Sequence, residues 1–256
     1  MKLVSAALSD IGRKRSQNQD SLLVEPDLQL FIVADGMGGH LGGGTASSMV
    51  VSSAPGTLQS HANGGAFDPR VAIMDALASA NRKIYERSSH DPELEGMGTT
   101  TTALWFVNGQ AVIGHVGDSR CYCFRSRAAW QLTRDHSLVE EKLRAGLITR
   151  EQVKTDLMKN VITRSVGFEP EVLVDVYAKP VQKLDLFLLC SDGVSGQMDE
   201  DEIRTAVDRE IFQSGSTDEP ATEERLKALS QYLIQRANDH GGEDNATVIL
   251  VQVAEV

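Results

Sequence analysis

Several aspartates in this chain stand where they could act as one group. Three of them sit where an apolar, strand-like run ends beside glycine: Ala34-Asp35-Gly36, Val116-Gly117-Asp118 and Cys190-Ser191-Asp192-Gly193. A strand end aims a side chain rigidly, and an adjacent glycine lets the backbone turn sharply and a ligand come close. Asp20, after Asn18-Gln19, and Asp244, before Asn245, add two more acids next to strand-like runs. Five carboxylates converging on one place repel one another and hold protons unless cations neutralise them. Hard divalent metals are the natural partners of such oxygen donors. Each Asp-Gly pair alone is an ordinary turn signal. The argument for a shared site is their co-occurrence with Arg15 and with the glycine-dense stretch from Gly36 to Gly44. A guanidinium offers a planar fork that grips two phosphate oxygens at once.

Such acids need a rigid frame. Apolar runs rich in Val, Ile and Phe recur at Leu3 to Leu8, Leu30 to Ala34, Thr100 to Val107, Ala111 to Val116, Asp185 to Cys190 and Ala246 to Val253, and Cys121-Tyr122-Cys123 has strand alternation. These predict strands. Helical character is predicted at about Gly44 to Ser53, Pro69 to Ser88, Ser137 to Ala145, Arg150 to Met158, Asp199 to Arg209 and Thr222 to Asn238. Two strands meet across Asn108-Gly109, an antiparallel hairpin signal, so the order does not alternate as a doubly wound fold would. An α+β sandwich is the expected class. The stretches Ser60 to Phe67 and Gln213 to Pro220 read as loops, and neither is a domain linker.

Composition narrows the function classes. With 256 residues, 41% of them hydrophobic, the chain can fill a sizeable core, and one folded unit over 1–256 is the expectation. A formal net charge of −11 disfavours nucleic acid and anionic membrane as partners. Apolar runs such as Leu186 to Cys190 fall far short of the roughly 20 residues a membrane helix needs. Met1 to Ile11 lacks the apolar core of a secretory signal, which points to the cytoplasm. The three cysteines make no disulfide framework and are read as reduced thiols.

The motifs Arg15-x-x-Asn18-Gln19-Asp20, Asp35-Gly36-Met37-Gly38-Gly39-His40, Gly98-Thr99-Thr100, Gly117-Asp118-Ser119-Arg120, Asn160-Val161-Ile162-Thr163-Arg164, Ser191-Asp192-Gly193 and Asp244-Asn245 resemble, in this order, those of bacterial PP2C-type (PPM) serine/threonine protein phosphatases. The resemblance covers nearly the whole chain. It implies a central β-sandwich of two antiparallel sheets flanked by helices, in four α-β-β-α layers. It further implies a binuclear centre of two Mn²⁺ or Mg²⁺ ions activating a bridging water. Asp35 would bridge the ions, the carbonyl of Gly36 would touch one, Asp192 and Asp244 would complete the site, and Asp20 would support it through water. Asp118 with Asp192 resembles the ligands of a third, weaker metal site. Arg15 would bind the substrate phosphate. The implied partners are phosphorylated proteins, among them a Ser/Thr kinase and its targets; a monomer is the default expectation. The segment 136–167 resembles the family's variable flap.

Some positions depart from that pattern or read as structural. Met37 stands where animal members have a histidine, so no general acid is carried over, and His40 is as much a structural residue as a catalytic one. Thr99 and Thr100 read as packing that shapes the cleft, and His115 and His136 as structural. A serine hydrolase is disfavoured because Gln197 replaces the second glycine of an elbow around Ser195. A nucleotide-binding enzyme lacks its phosphate loop. The alternative from another class is a catalytically silent PP2C-like regulatory or binding module, which would be expected to have lost ligands.

Overall fold

The structure, a computed structural model, describes residues 1–126, 128–213 and 219–256, apart from the side chain of His40. Among the described residues, strands form two antiparallel sheets. In the first, β1 (Lys2–Asp10) pairs with β11 (Ala246–Glu255), followed by β10 (Leu186–Cys190), β7 (Arg120–Arg125) and β8 (Ala128–Gln131). In the second the order is β2 (Asp20–Glu25), β3 (Leu30–Met37), β5 (Thr101–Val107), β6 (Gln110–Val116) and β9 (Asp175–Pro180), with the short β4 (Gly98–Thr99) on the end of β3.

Side chains that alternate along each strand create the layers. Phe31 and Val33 of β3 point between the sheets, where they join Phe187 and Leu189 of β10 and Ile249 and Val251 of β11. Leu30 and Ile32 point the other way, onto α1 (Gly39–Asn63) and α2 (Pro69–His90) through Val50, Leu58, Ile73 and Leu77. On the opposite side Leu188 and Leu250 pack on α6 (Glu200–Val207) and α7 (Glu223–Asp239) through Ile203, Leu229 and Leu233. Central strands are thus buried on both faces, which is why they read as unbroken apolar runs although the sheets are antiparallel. The expected four layers are present. At the predicted hairpin Asn108 and Gly109 both take positive φ, 51° and 71°, between the paired Val107 and Gln110, as a type I′ turn requires.

Four strands escaped the sequence reading: the sheet edges β2, β8 and β9 and the two-residue β4. An edge strand is half exposed, so its apolar run is short and broken by charge. Helix α1 is far longer than the predicted Gly44 to Ser53, taking in early glycines, Pro55 and the first residues of the predicted loop at 60–67. Ala46, Val50, Ala54 and Leu58, four apart and fully buried, supply the packing that overrides poor local propensity. Conversely the helix expected over 150–158 stops at Val153, giving α4 (Arg150–Val153). There Asp156 accepts the Met158 amide at 2.8 Å and Lys142 at 2.9 Å, so a side-chain turn replaces the helix. Of the loop expected at 213–220, residues 214–218 lie outside the described residues. Among the described residues, no helix is long and apolar enough to cross a membrane.

Candidate metal centre

The five acids and Arg15 meet at one end of the sandwich. Asp20 begins β2 and is the antiparallel partner of Asp35 near the end of β3. Asp192 opens the short helix α5 (Asp192–Ser195) directly after β10. Asp244 precedes β11, the neighbour of β10, and Asp118 lies in the turn from β6 to β7.

Local contacts explain how each acid is held. Thr99 Oγ1 donates to the carbonyl of Asp35 at 2.8 Å, and Thr100 Oγ1 accepts the Asp35 amide at 3.0 Å. The Gly-Thr-Thr run therefore clamps the main chain of Asp35 as well as packing the cleft. A Cβ on Gly36 would overlap the carbonyl of Gly43, so the end of β3 can cross the first turn of α1 only through glycine. Gly36 and Gly43 serve this crossing, while Gly38 and Gly42 lie against Met97. A Cβ on Gly193 would likewise overlap the carbonyl of Asn245, which brings Asp192 beside Asp244. Ser191 Oγ and Thr247 Oγ1 both donate to Asp20 Oδ2, at 2.8 and 2.6 Å. Asn245 accepts the Gln19 amide and donates to the carbonyls of Ile11 and Gln17, tying the Arg15 loop to β11. Behind Asp118, Arg120 grips Asp135 through Nε and Nη2, the latter at 2.7 Å.

The acids act on one another electrostatically. Burial, with the charges of Asp20, Asp192 and Asp118, drives the Asp35 carboxyl well above its ordinary range. Burial pushes Asp20 up to about 6 despite the two hydroxyl donors, and it pushes Asp118 to about 8 with help from Asp192 and Asp135. Asp192 is raised by burial and by Asp244. The compensating cation at the mouth is Arg15, whose Nη2 lies 2.6 Å from Asp244 Oδ2.

The residues fit a hard divalent cation by one direct observation. Asp20 Oδ1, Asp118 Oδ1 and Asp192 Oδ1 are buried with no hydrogen-bond partner, an arrangement that proteins avoid unless something else satisfies the oxygens. Among the described residues, no three acidic, histidine or cysteine side chains are gathered closely enough to hold an ion as they stand. The carboxylates instead engage in pairs, Asp35 with Asp192 and Asp244 with Arg15. Ion binding would require small rotations that exchange these pairs for shared ligation.

Two segments border the centre. From His136 the chain leaves through α3 (Leu138–Arg144) and α4 and returns at Thr163, whose amide donates to the His136 carbonyl. His136 is buried; its Nδ1 accepts the Gly117 amide at 3.0 Å, and its Nε2 faces Asp175 at 3.3 Å. His115 is buried too, and burial pushes it down to about 4, which suits a neutral structural ring. On the other side, an open groove of about 430 Å³ is bounded by Gln17, Asn18 and Gln19 and by Leu41, Thr45 and Ser48 of α1. Sequence reasoning found the acids and quoted Ser191 in a motif without giving it a role, but it missed Thr247, because a hydroxyl in a strand carries no signal beyond ordinary packing.

Comparison with known proteins agrees with this fold. The protein phosphatase 2C family model matches residues 12–233. The serine/threonine phosphatase stp of Listeria monocytogenes is 38% identical over 248 residues, covering 95% of this chain and 93% of that protein. The protein phosphatase PhpP of Streptococcus pneumoniae is 35% identical over 97% of this chain and 96% of that one. Among solved structures, the Mycobacterium tuberculosis serine/threonine phosphatase PstP/Ppp superposes with a TM-score of 0.86 at 32% identity, covering 99% of each chain. The catalytic domain of PstP in complex with two manganese ions gives 0.82 at 31%, over 99% of this chain and 100% of that one. With its motifs, its two-sheet sandwich and its cluster of buried aspartates, the chain belongs to the protein phosphatase 2C family.

Proposed function

We propose that this protein hydrolyses phosphoserine and phosphothreonine esters on proteins at a binuclear Mn²⁺ or Mg²⁺ centre, in opposition to a Ser/Thr kinase in the cytoplasm. The observation that carries the reading is the set of three buried carboxylate oxygens without partners, amid mutually repelling aspartates and next to Arg15. When bound, paired cations lower the pKa of a water shared between them and screen the phosphoryl oxygens.

The chain's own residues hold and aim. Asp35, fixed through Thr99 and Thr100, would hold the ions together with the Gly36 carbonyl. Asp192 and Asp244 would complete the set, and Asp20, held by Ser191 and Thr247, would support it. Asp118 with Asp192 is the candidate pair for a third, weaker site. Arg15 is the phosphate ligand. It touches Asp244 through Nη2 and sits half exposed at the mouth, so an incoming phosphate meets a guanidinium already oriented by that contact. The segment 136–167, closed at its base by His136 and Thr163, is the flap of a unit spanning 1–256 that works as a monomer.

The test is phosphate release from a phosphothreonine peptide, with EDTA, Mg²⁺ and Mn²⁺ in parallel and Asp192→Asn as the control. Metal-dependent turnover that the variant abolishes, with its fold intact by circular dichroism, is expected. Undiminished turnover in Asp192→Asn would overturn the site assignment. No turnover with any metal, while calorimetry still detects metal binding, would instead favour a silent regulatory module.

A further inference from the structure

Arg15 is the third of three consecutive basic residues, and the other two have no part in the centre described so far. Arg13 and Lys14 are exposed, and neither has a carboxylate within ion-pair distance among the described residues. Their main chain, by contrast, is fixed. The amides of Arg13 and Lys14 both donate to the Gly242 carbonyl, at 2.7 and 3.2 Å, and the Gly12 amide donates to Asp10 Oδ1 at 2.8 Å. Gly12 and Gly242 both take positive φ, and a Cβ on Gly12 would overlap the Asp244 carbonyl. The loop is therefore locked against the segment that carries Asp244, with two exposed cations next to Arg15 in the chain. The same loop continues through Gln17, Asn18 and Gln19, which line the open groove against α1.

In a chain of net charge −11, an anionic substrate is repelled at long range, and the consecutive cations Arg13, Lys14 and Arg15 offset that repulsion locally. We propose that Arg13 and Lys14 form an anion-binding rim selecting phosphopeptides with a further negative group, a carboxylate or a second phosphate, close to the phosphate that is removed. An extended peptide advances about 3.3 Å per residue, so a side chain within roughly three residues of the phosphorylated one reaches the rim. The inference rests on the proposed phosphatase activity, and it assigns the rim a role in substrate choice.

The experiment uses the full chain with Mn²⁺ and three phosphothreonine peptides, flanked by alanines, by glutamates, or by alanines with one phosphoserine. For the wild type and the Arg13→Gln/Lys14→Gln double variant, kcat/KM is measured alongside equilibrium binding of labelled peptides by fluorescence anisotropy. Glutamine keeps both main-chain hydrogen bonds to Gly242, so the loop stays in place. Two exposed charge pairs predict a preference of about fivefold for the anionic peptides over the neutral one. That preference should shrink when salt is raised to about 0.5 M, and the double variant should lose it while still turning over the neutral peptide. A preference for the glutamate peptide assigns the rim to carboxylates, and one confined to the phosphoserine peptide assigns it to a second phosphate. Hydrolysis without preference, or preference that survives in the double variant, overturns the rim. Absence of hydrolysis with charge-selective binding retained would overturn the phosphatase reading and leave the rim standing.

Discussion

Replacing Asp118 by asparagine should make the metal-free protein more stable. The carboxyl of Asp118 is buried, near Asp192 and Asp135, and its pKa rises from 3.8 to about 8. An acid whose folded value lies above its unfolded one destabilises the fold at every pH above the unfolded value, and the penalty disappears as pH falls through that window. At pH 7 a rise of this size is worth up to about 4 kcal/mol, and at pH 5 less than about 2 kcal/mol. Asparagine keeps the shape and an acceptor oxygen but never ionises. It also relieves Asp35, whose carboxyl is raised in part by the Asp118 charge. For a chain of this length about 1 kcal/mol corresponds to roughly 2 °C in Tm. Thermal unfolding in EDTA should therefore show Asp118→Asn melting several degrees above the wild type at pH 7, with a smaller gap at pH 5. In saturating Mn²⁺ the gap should narrow, because the ions supply the neutralisation that the substitution mimics. A variant no more stable than the wild type at pH 7, or an advantage undiminished at pH 5, would refute the idea that uncompensated carboxylates burden this fold.

Arg15→Ala should lower kcat/KM on a phosphothreonine peptide by about a hundredfold through loss of a charge-assisted phosphate contact, while calorimetric Mn²⁺ binding persists; lost metal binding would contradict the role given to Arg15. Gly193→Ala drives a Cβ into the Asn245 carbonyl. It should destabilise the fold by about 2 kcal/mol or more and weaken Mn²⁺ binding by calorimetry, since α5 must move away from β11. Asn81 is buried, accepts the Gly167 amide at 2.6 Å and donates to the carbonyls of Glu169 and Pro170. Asn81→Ala leaves that amide unpaired and should cost about 2–4 kcal/mol in chemical denaturation, with faster proteolysis at 167–170.

The acids were legible because chemistry placed them at strand ends beside glycine, a pattern that Asp35, Asp118 and Asp192 share in one dimension. Central strands were legible for a similar reason, as burial on both faces of β10 and β11 makes them continuous apolar words. What escaped depends on partners far away in sequence. The edges β2, β8 and β9 owe their existence to one neighbour each, and a single half-buried face leaves little pattern to read. The first turns of α1 look unfavourable until the Gly36 and Gly43 contact shows why side chains must be absent there. Thr247 reads as a strand residue like any other, and only its hydroxyl, 2.6 Å from an acid 227 positions earlier, gives it a function.

The strand that follows Asp244 also determines when the centre can exist. Strand β11 lies between β1 and β10, pairing Asp10 with Ala246 and Leu3 with Val253. Closing a loop of that span carries an entropic cost of about 5 kcal/mol, and pairings so distant in sequence make folding slow. Until β11 is inserted, β1 and β10 present two open edges and Asp244 and Asn245 have no fixed position. Metal capture should thereby be coupled to insertion of β11. The appearance of metal-dependent turnover during refolding should then coincide with completion of the first sheet and trail the formation of α1 and α2, which makes the activity a clock for the final closure of the chain.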